Sequence, residues 1–403
     1  MRKFLVLLLA LTALCCSIPP DTETRAELRA DFGFAETRAL WVTRFELNSP
    51  ENIPVLVKRA AEANFNTLFV QVCGRGTAFY DSQILPRDTR ATDFDALALT
   101  LAEAKKHGIS VHAWINTLYV WSDAEPPVSP EHVVNKNPEW IMTLRGNSKD
   151  KYLDPSIPEV QEYLKSVYLE VARNYEVDGV HLDYVRYPGT WSGFTKYSRQ
   201  SFEQLTGVDP LALYQNKEIA LRLFGQDAYN QYIALWDSYR RDAVNTLVRT
   251  IFRELTINAP DVLLSAAVMP DPKSAAEVNF QDWESWMHSG YIDTIVPMVY
   301  DMDYNVVQKQ AAKAAELSAR YSIPVYIGLG AWRRSAEAIA ADVEFVRKLS
   351  AGGVVLFSYD GIKNPPDYLD NLRRKVFTRS VERTPPREHR VFSEESAVKD
   401  TAG

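Results

Sequence analysis

Residues 177–189, VDGVHLDYVRYPG, set a histidine and a carboxylate two positions apart, at His181 and Asp183. If the run is a strand, side chains alternate across it, so His181 and Asp183 share one face while Val180, Leu182 and Tyr184 take the other. An ionised carboxylate inside a fold is costly unless it is paired or used. Arg186 stands three residues on and could supply the pair. A cation there would keep Asp183 ionised, which suits a nucleophile or a base better than a proton donor. The plainer reading of His181 is a hydrogen-bonded core histidine. Asp178, at the start of the run, reads as a turn anchor.

The same alternation recurs elsewhere. In 109–116 (ISVHAWIN) Ser110, His112, Trp114 and Asn116 share a parity, in 67–72 (TLFVQV) Thr67, Phe69 and Gln71 do, and in 262–271 (VLLSAAVMPD) Ser265, Ala267, Met269 and Asp271 do. Four runs therefore place polar groups on one face, the most polar members late in each run. That convergence is a candidate active site. Of the six histidines, only His112 and His181 fall on this face, so a metal-dependent hydrolase would have to build its site from those two and Asp183.

The elements that must position these residues alternate in type. Strand-like runs at 38–46, 67–72, 109–116, 179–184, 262–271, 291–301, 323–330 and 353–360 are separated by amphipathic stretches such as FDALALTLAEAKKHG and EVQEYLKSVYLEVARNYE. Alternating βα units make a parallel sheet. Eight of them favour a closed (β/α)8 barrel over an open doubly wound sheet, and no strand leads into the glycine pattern of a dinucleotide site. In such a barrel function gathers at the C-terminal ends of the strands. Residues 117–156 and 185–235, after strands three and four, are far longer than the ~2–6 residues usual for βα connections. Both long loops lie on that mouth, where Trp121, Trp140 and Trp191 could wall a groove.

Composition narrows the partners. A formal net charge of −7 with scattered arginines argues against a nucleic-acid backbone. Arg2 and Lys3 followed by an apolar run from Phe4 to Leu14 have the layout of a secretory signal peptide, read as residues 1–17. Cys15 and Cys16 end that run and leave a lipid anchor open at either, although the residues before them are not the small ones favoured for lipoprotein processing. The chain is accordingly expected outside the cytoplasm, in the periplasm or at the cell surface. Residues 18–35 read as a linker, 36–377 as the barrel, and 378–403, charged and poor in apolar residues, as a disordered tail. Only Cys73 remains in the barrel, so the core carries stability without an internal disulfide.

GVHLDYVRYPG, the early TRALWVT, the middle blocks VHAWINTLYVWS, HVVNKNPEWI and YLDPSIPEVQEYL, and the late SAAVMPD, QDW and PMVYD together resemble the family 10 glycosyl hydrolase-like proteins, exported bacterial TIM barrels. The resemblance runs over about residues 36–375. It implies a glycosidase, with bacterial cell-wall glycan as the substrate suggested for relatives, and it marks Asp183 as a catalytic carboxylate. VQVCGRGTAFYDS departs from the family's pattern, with Thr77 where an acid and Cys73 where a base is expected.

Glycoside hydrolysis needs two carboxyl groups flanking the scissile bond. With Asp183 as one, the candidates for the other at strand ends are Asp301, favoured here, Asp271, Glu46 and Asp360. Arg75, His112, Trp114, Asn116, His181, Tyr184, Arg186, Tyr300 and Trp332 are the candidate substrate contacts. No metal or other cofactor is called for. The expected partner is a polysaccharide or peptidoglycan glycan, with oligomeric state open. The rival readings are a non-catalytic glycan-binding barrel and the metal-dependent hydrolase.

Overall fold

The computed structural model describes residues 36–91, 93–349, 351–365 and 367–382. The signal peptide, the linker, Cys15, Cys16 and all of the tail beyond 382 lie outside the described residues. Eight strands form one closed barrel: β1 (Thr37–Val42), β2 (Thr67–Cys73), β3 (Ser110–Asn116), β4 (Gly179–Asp183), β5 (Leu263–Val268), β6 (Thr294–Val299), β7 (Tyr326–Gly330) and β8 (Gly353–Phe357). Each pairs in parallel with its neighbours in chain order, and β8 closes onto β1. All eight expected strands are present. Five end earlier than their apolar runs suggested, because the residues closing those runs leave the sheet: Arg44–Glu46 make a short 3₁₀ turn and Asp271 caps the helix Pro272–Val278.

Two cores result from the period-two alternation. Leu40, Val70, Val111, Leu182, Ala266 and Leu356 face outward into the layer shared with the helices, whereas Trp41, Phe69, Trp114, Ala267, Val296 and Val355 fill the barrel. Interior residues pack in layers, so parity assigns the face and depth along the strand assigns the environment. Two glycines make room for interior rings. A Cβ on Gly179 would sit 2.3 Å from His112 Nδ1 and 2.9 Å from the Leu263 carbonyl oxygen, and one on Gly328 would sit 2.8 Å from the Trp41 ring. Gly179→Ala is therefore expected to cost about 1–3 kcal/mol through overpacking, read as a lower denaturant midpoint.

The loop after β3 carries an antiparallel pair, Ile141–Thr143 with Lys149–Leu153, and leads into the helix Pro158–Asn174. The loop after β4 continues through the helix Lys196–Thr206 into Lys217–Asn258, whose helical geometry breaks at Gly225. Asp154, wholly buried, ties the two loops together. Its carboxylate accepts hydrogen bonds from the hydroxyls of Ser156 (2.8 Å), Thr195 (2.7 Å) and Ser198 (3.0 Å). Buried polar satisfaction of this kind fixes loop geometry rather than supplying chemistry. No helix among the described residues is long and apolar enough to cross a membrane.

Candidate active site

The last residue of β4 is Asp183, 6% exposed at the C-terminal mouth. Three groups address its carboxylate. The Tyr184 N–H donates to Oδ1 (2.7 Å), the Trp114 Nε1–H donates to Oδ2 (3.1 Å), and the Arg186 guanidinium lies 3.6 Å from Oδ1. Tyr184 adopts φ 51°, a left-handed conformation that bulky residues rarely take, and in it the peptide N–H reaches the carboxylate of the preceding residue. Behind Asp183 runs a buried relay. Trp114 Nε1–H also donates to Asn116 Oδ1 (3.1 Å), Gln71 donates to the same oxygen (3.1 Å), and Asn116 Nδ2 donates to the Gly74 carbonyl (2.8 Å). Gln71 Oε1 in turn accepts from the Arg44 backbone N–H (3.2 Å) and Nη1 (3.1 Å). The side chain of Asp183 is thus held directly from Trp114 of β3 and, behind it, through Asn116 by Gln71 of β2 and Arg44 in the turn after β1.

Burial pushes the Asp183 carboxyl above its ordinary value, and this outweighs the lowering by Arg186, the Tyr184 N–H and Trp114. Arg186 favours the ionised form as expected, but burial acts against it and is the larger effect. At 3.6 Å the guanidinium pairs only loosely, and its Nη1 makes no hydrogen bond. A carboxyl whose neutral form is favoured by burial, held in a preformed cradle, suits proton donation.

Aromatic side chains line two sides of the mouth. Tyr119 stacks on Tyr184 at 5.0 Å, and the Arg186 guanidinium lies 4.5 Å over the Tyr184 ring. Opposite, Tyr300, Trp332 and Phe357 pack edge to face or tilted, with centroids 5.1–5.5 Å apart. Phe45 (51% exposed), Trp191 (48%) and Tyr304 (40%) stand open in the segments that follow β1, β4 and β6, where apolar ring faces can meet pyranose rings.

Several sequence candidates take other places. His181 is wholly buried: its Nε2 accepts from Trp41 Nε1 (3.3 Å) and its Nδ1 shares a 2.8 Å hydrogen bond with Ser265 Oγ. Both ring nitrogens are engaged, and burial together with His112 holds the ring well below its ordinary pKa. His112, 2% exposed, lies 4.7 Å from the Phe69 ring and is pushed down to about 4 by burial. Both histidines are packing residues beneath the mouth, and they are corrected as substrate contacts. Trp114, which holds Asp183, and Asn116, which holds Trp114, are each 4% exposed and offer little surface. Arg75 pairs with Asp123 (2.7 Å) over the Trp121 ring, whereas Tyr184, Arg186, Tyr300 and Trp332 are half-buried at the mouth.

Among the other carboxylates, Glu46 is buried against Lys363 (2.6 Å) and Asp360 accepts from Thr43 Oγ1 (3.1 Å). Asp271 accepts the Ser274 N–H (2.7 Å) as a helix cap. Asp301 is exposed just after β6, beside Tyr300, and one of its oxygens accepts the Asp303 N–H (2.8 Å). In the loop after β2, Thr77 donates to the buried Asp88 (2.7 Å), which also holds Arg90 through two 2.8 Å contacts. Cys73 is buried and its thiol is pushed up to about 12. Among the described residues no group of three or more His, Cys, Asp or Glu is placed to hold a metal ion.

Sequence reading missed Arg44, Phe45, Tyr119 and Phe357. Gln71 showed the right parity but no role. Arg44 carried the wrong parity, since β1 stops at Val42 and the next residues turn.

The fold is that of the (β/α)8 barrels, and solved glycoside hydrolases share it. The catalytic domain of β-amylase from Paenibacillus polymyxa superposes with a TM-score of 0.60 at 10% identity, covering 85% of this chain and 98% of that one. The PgaB glycoside hydrolase domain from Bordetella bronchiseptica does so with 0.55 at 14% identity, covering 85% and 99%. The chain belongs to the glycosyl hydrolase-like 10 family, whose model matches residues 36–346. It is 25% identical over 327 residues to the glycosyl hydrolase YngK of Bacillus subtilis, covering 74% of this chain and 59% of that protein. It is 27% identical over 273 residues to the glycosyl hydrolase DigH of Escherichia coli, covering 58% and 54%. In both alignments the match spans less than two thirds of the relative's length.

Proposed function

We propose that the protein is a glycoside hydrolase acting on a bacterial cell-wall polysaccharide, with peptidoglycan glycan strands freed of stem peptides as the first substrate, and that it is exported to meet it. The observation that carries this reading is the Asp183 carboxyl, buried at the barrel mouth, fixed by Trp114 and Tyr184 and raised by its burial. In this reading Asp183 protonates the leaving glycosidic oxygen, and Asp301, open to solvent just after β6, attacks the sugar or activates water. Tyr184, Arg186, Tyr300 and Trp332 hold the rings that flank the bond. Arg75, paired at the rim, contributes at most an outer contact.

The test is product analysis by chromatography and mass spectrometry after incubating the purified mature protein with such strands, without added metal. Soluble fragments are expected. An acid must be protonated to donate, so kcat/KM is expected to fall as pH rises through the elevated pKa of Asp183, leaving an acidic optimum. Tight binding without products across a broad glycan panel would favour a binding module, and activity abolished by chelator would favour the metal-dependent reading.

A further inference from the structure

Trp114 has one indole N–H and two acceptors for it. Asn116 Oδ1 and Asp183 Oδ2 each lie 3.1 Å from Nε1, so the hydrogen is shared in a three-centre bond. The Asn116 oxygen is fixed in place. Asn116 Nδ2 donates to the Gly74 carbonyl (2.8 Å), which sets the orientation of the amide, and Gln71 Nε2 donates to the same Oδ1 (3.1 Å). Gln71 is oriented in its turn by the Arg44 backbone N–H, which donates to its Oε1 (3.2 Å). Trp114, Asn116 and Gln71 are all buried, so bulk water does not replace a partner that any of them loses.

The sharing matters because the accepting power of Asp183 changes with its protonation. Oδ1 takes the Tyr184 N–H (2.7 Å) and faces Arg186 at 3.6 Å, so both neighbours favour a bare oxygen there and the proton of the neutral acid belongs on Oδ2. Oδ2 is the oxygen that faces Trp114. A carboxylate oxygen accepts strongly and a protonated one weakly. With Asp183 as its only acceptor, the buried Trp114 N–H would be poorly satisfied whenever the acid is neutral, and that penalty would favour the ionised form. With Asn116 Oδ1 at the same distance, the N–H keeps a full acceptor in both states. The other titratable groups around the carboxyl are the phenols of Tyr184, Tyr300, Tyr152 and Tyr168, all raised by burial and uncharged at neutral pH. Among the described residues Arg186 is the one charge within ion-pair distance.

We propose that Asn116 is a positioning residue that supports the neutral form of Asp183 by holding the Trp114 N–H whenever the carboxyl is protonated. The inference rests on Asp183 being the acid of a glycan site, as proposed above. Asn116 acts through Trp114 and touches no substrate in this role. Gln71 weakens the effect, because its own N–H competes for the Asn116 oxygen.

The experiment follows the Asp183 carboxyl by carbon-13 NMR of aspartate-labelled protein over pH, its signal assigned by its loss in Asp183→Asn. Asn116→Leu keeps the shape and removes the acceptor. It is expected to lower the titration midpoint of Asp183 by about half a pH unit or more, the size that one hydrogen bond to a charged group allows. Trp114→Phe is expected to raise the midpoint, and in that background Asn116→Leu is expected to move it no further, because there is no N–H left to hold. A merely structural Asn116 would act through a cavity or strain, with or without the indole N–H. Gln71→Met keeps the chain length and lacks the competing donor. It is expected to move the midpoint up, and it decides the matter if Asn116→Leu folds poorly. An unchanged or raised midpoint in Asn116→Leu, an equal shift in the Trp114→Phe background, or an unchanged or lowered midpoint in Gln71→Met overturns the inference. The basic limb of kcat/KM on glycan strands is expected to move with the NMR midpoint in each variant. Midpoint shifts without any cleavage by the wild type overturn the glycosidase reading and leave the role of Asn116 standing. Cleavage without the shifts overturns the role of Asn116 alone.

Discussion

Asp183→Asn is expected to lower kcat on glycan strands by about 10³-fold or more while the protein stays folded. The amide keeps the shape of the carboxyl but has no proton to give the leaving oxygen. Its effect on stability follows from two opposed terms. A carboxyl raised in the folded state binds more protons than in the unfolded chain, so between the ordinary and the raised pKa stability falls as pH rises, and at neutral pH the ionised form is a liability that asparagine removes. Against this, an amide has one accepting atom where Asp183 uses two, for Tyr184 and for Trp114. One of those hydrogen bonds is lost, at about 1 kcal/mol. The midpoint of thermal unfolding at neutral pH should therefore remain close to that of the wild type, which separates lost chemistry from lost structure.

Asp301→Asn is expected to match Asp183→Asn in severity, at about 10³-fold in kcat, because a paired-carboxylate mechanism fails when either member is neutralised. Asp271→Ala provides the contrast. The Asp271 carboxylate caps the helix Pro272–Val278 through Ser274, so its removal should cost about 1 kcal/mol of stability and change kcat less than tenfold. Kinetics on the three variants, with unfolding midpoints beside them, identify the partner. Should Asp301→Asn retain near-normal turnover, the second carboxylate must be sought among Asp360 and Glu46, whose bonds to Thr43 and Lys363 argue for anchoring roles.

Strand alternation made the barrel legible. Outward Leu182 and Val180 against inward His181 and Asp183 gave the correct face of β4, and the parity of Ser110 to Asn116 did the same for β3. Depth was not legible, because parity repeats every second residue while the environment changes from packed interior to open mouth along the same face. That is why His112 and His181 looked like contacts and are packing residues. Arg186 was visible as a neighbour of Asp183 in sequence, but the ionisation of the pair depends on a 3.6 Å separation and on burial, which spacing does not carry. Arg44 was hidden for the opposite reason: the chain leaves β1 after Val42, so its side chain does not obey the alternation of the residues before it.

Whether this barrel is an enzyme turns on Asp183. The direct measurement is fragment release from end-labelled glycan strands by wild-type protein and by folded Asp183→Asn, run side by side at the acidic optimum. Soluble fragments from the wild type and about a thousandth of that rate or less from the variant are the expected result. Equal release by both would return Asp183 to the role of a structural partner of Arg186 and Trp114, and would contradict the account.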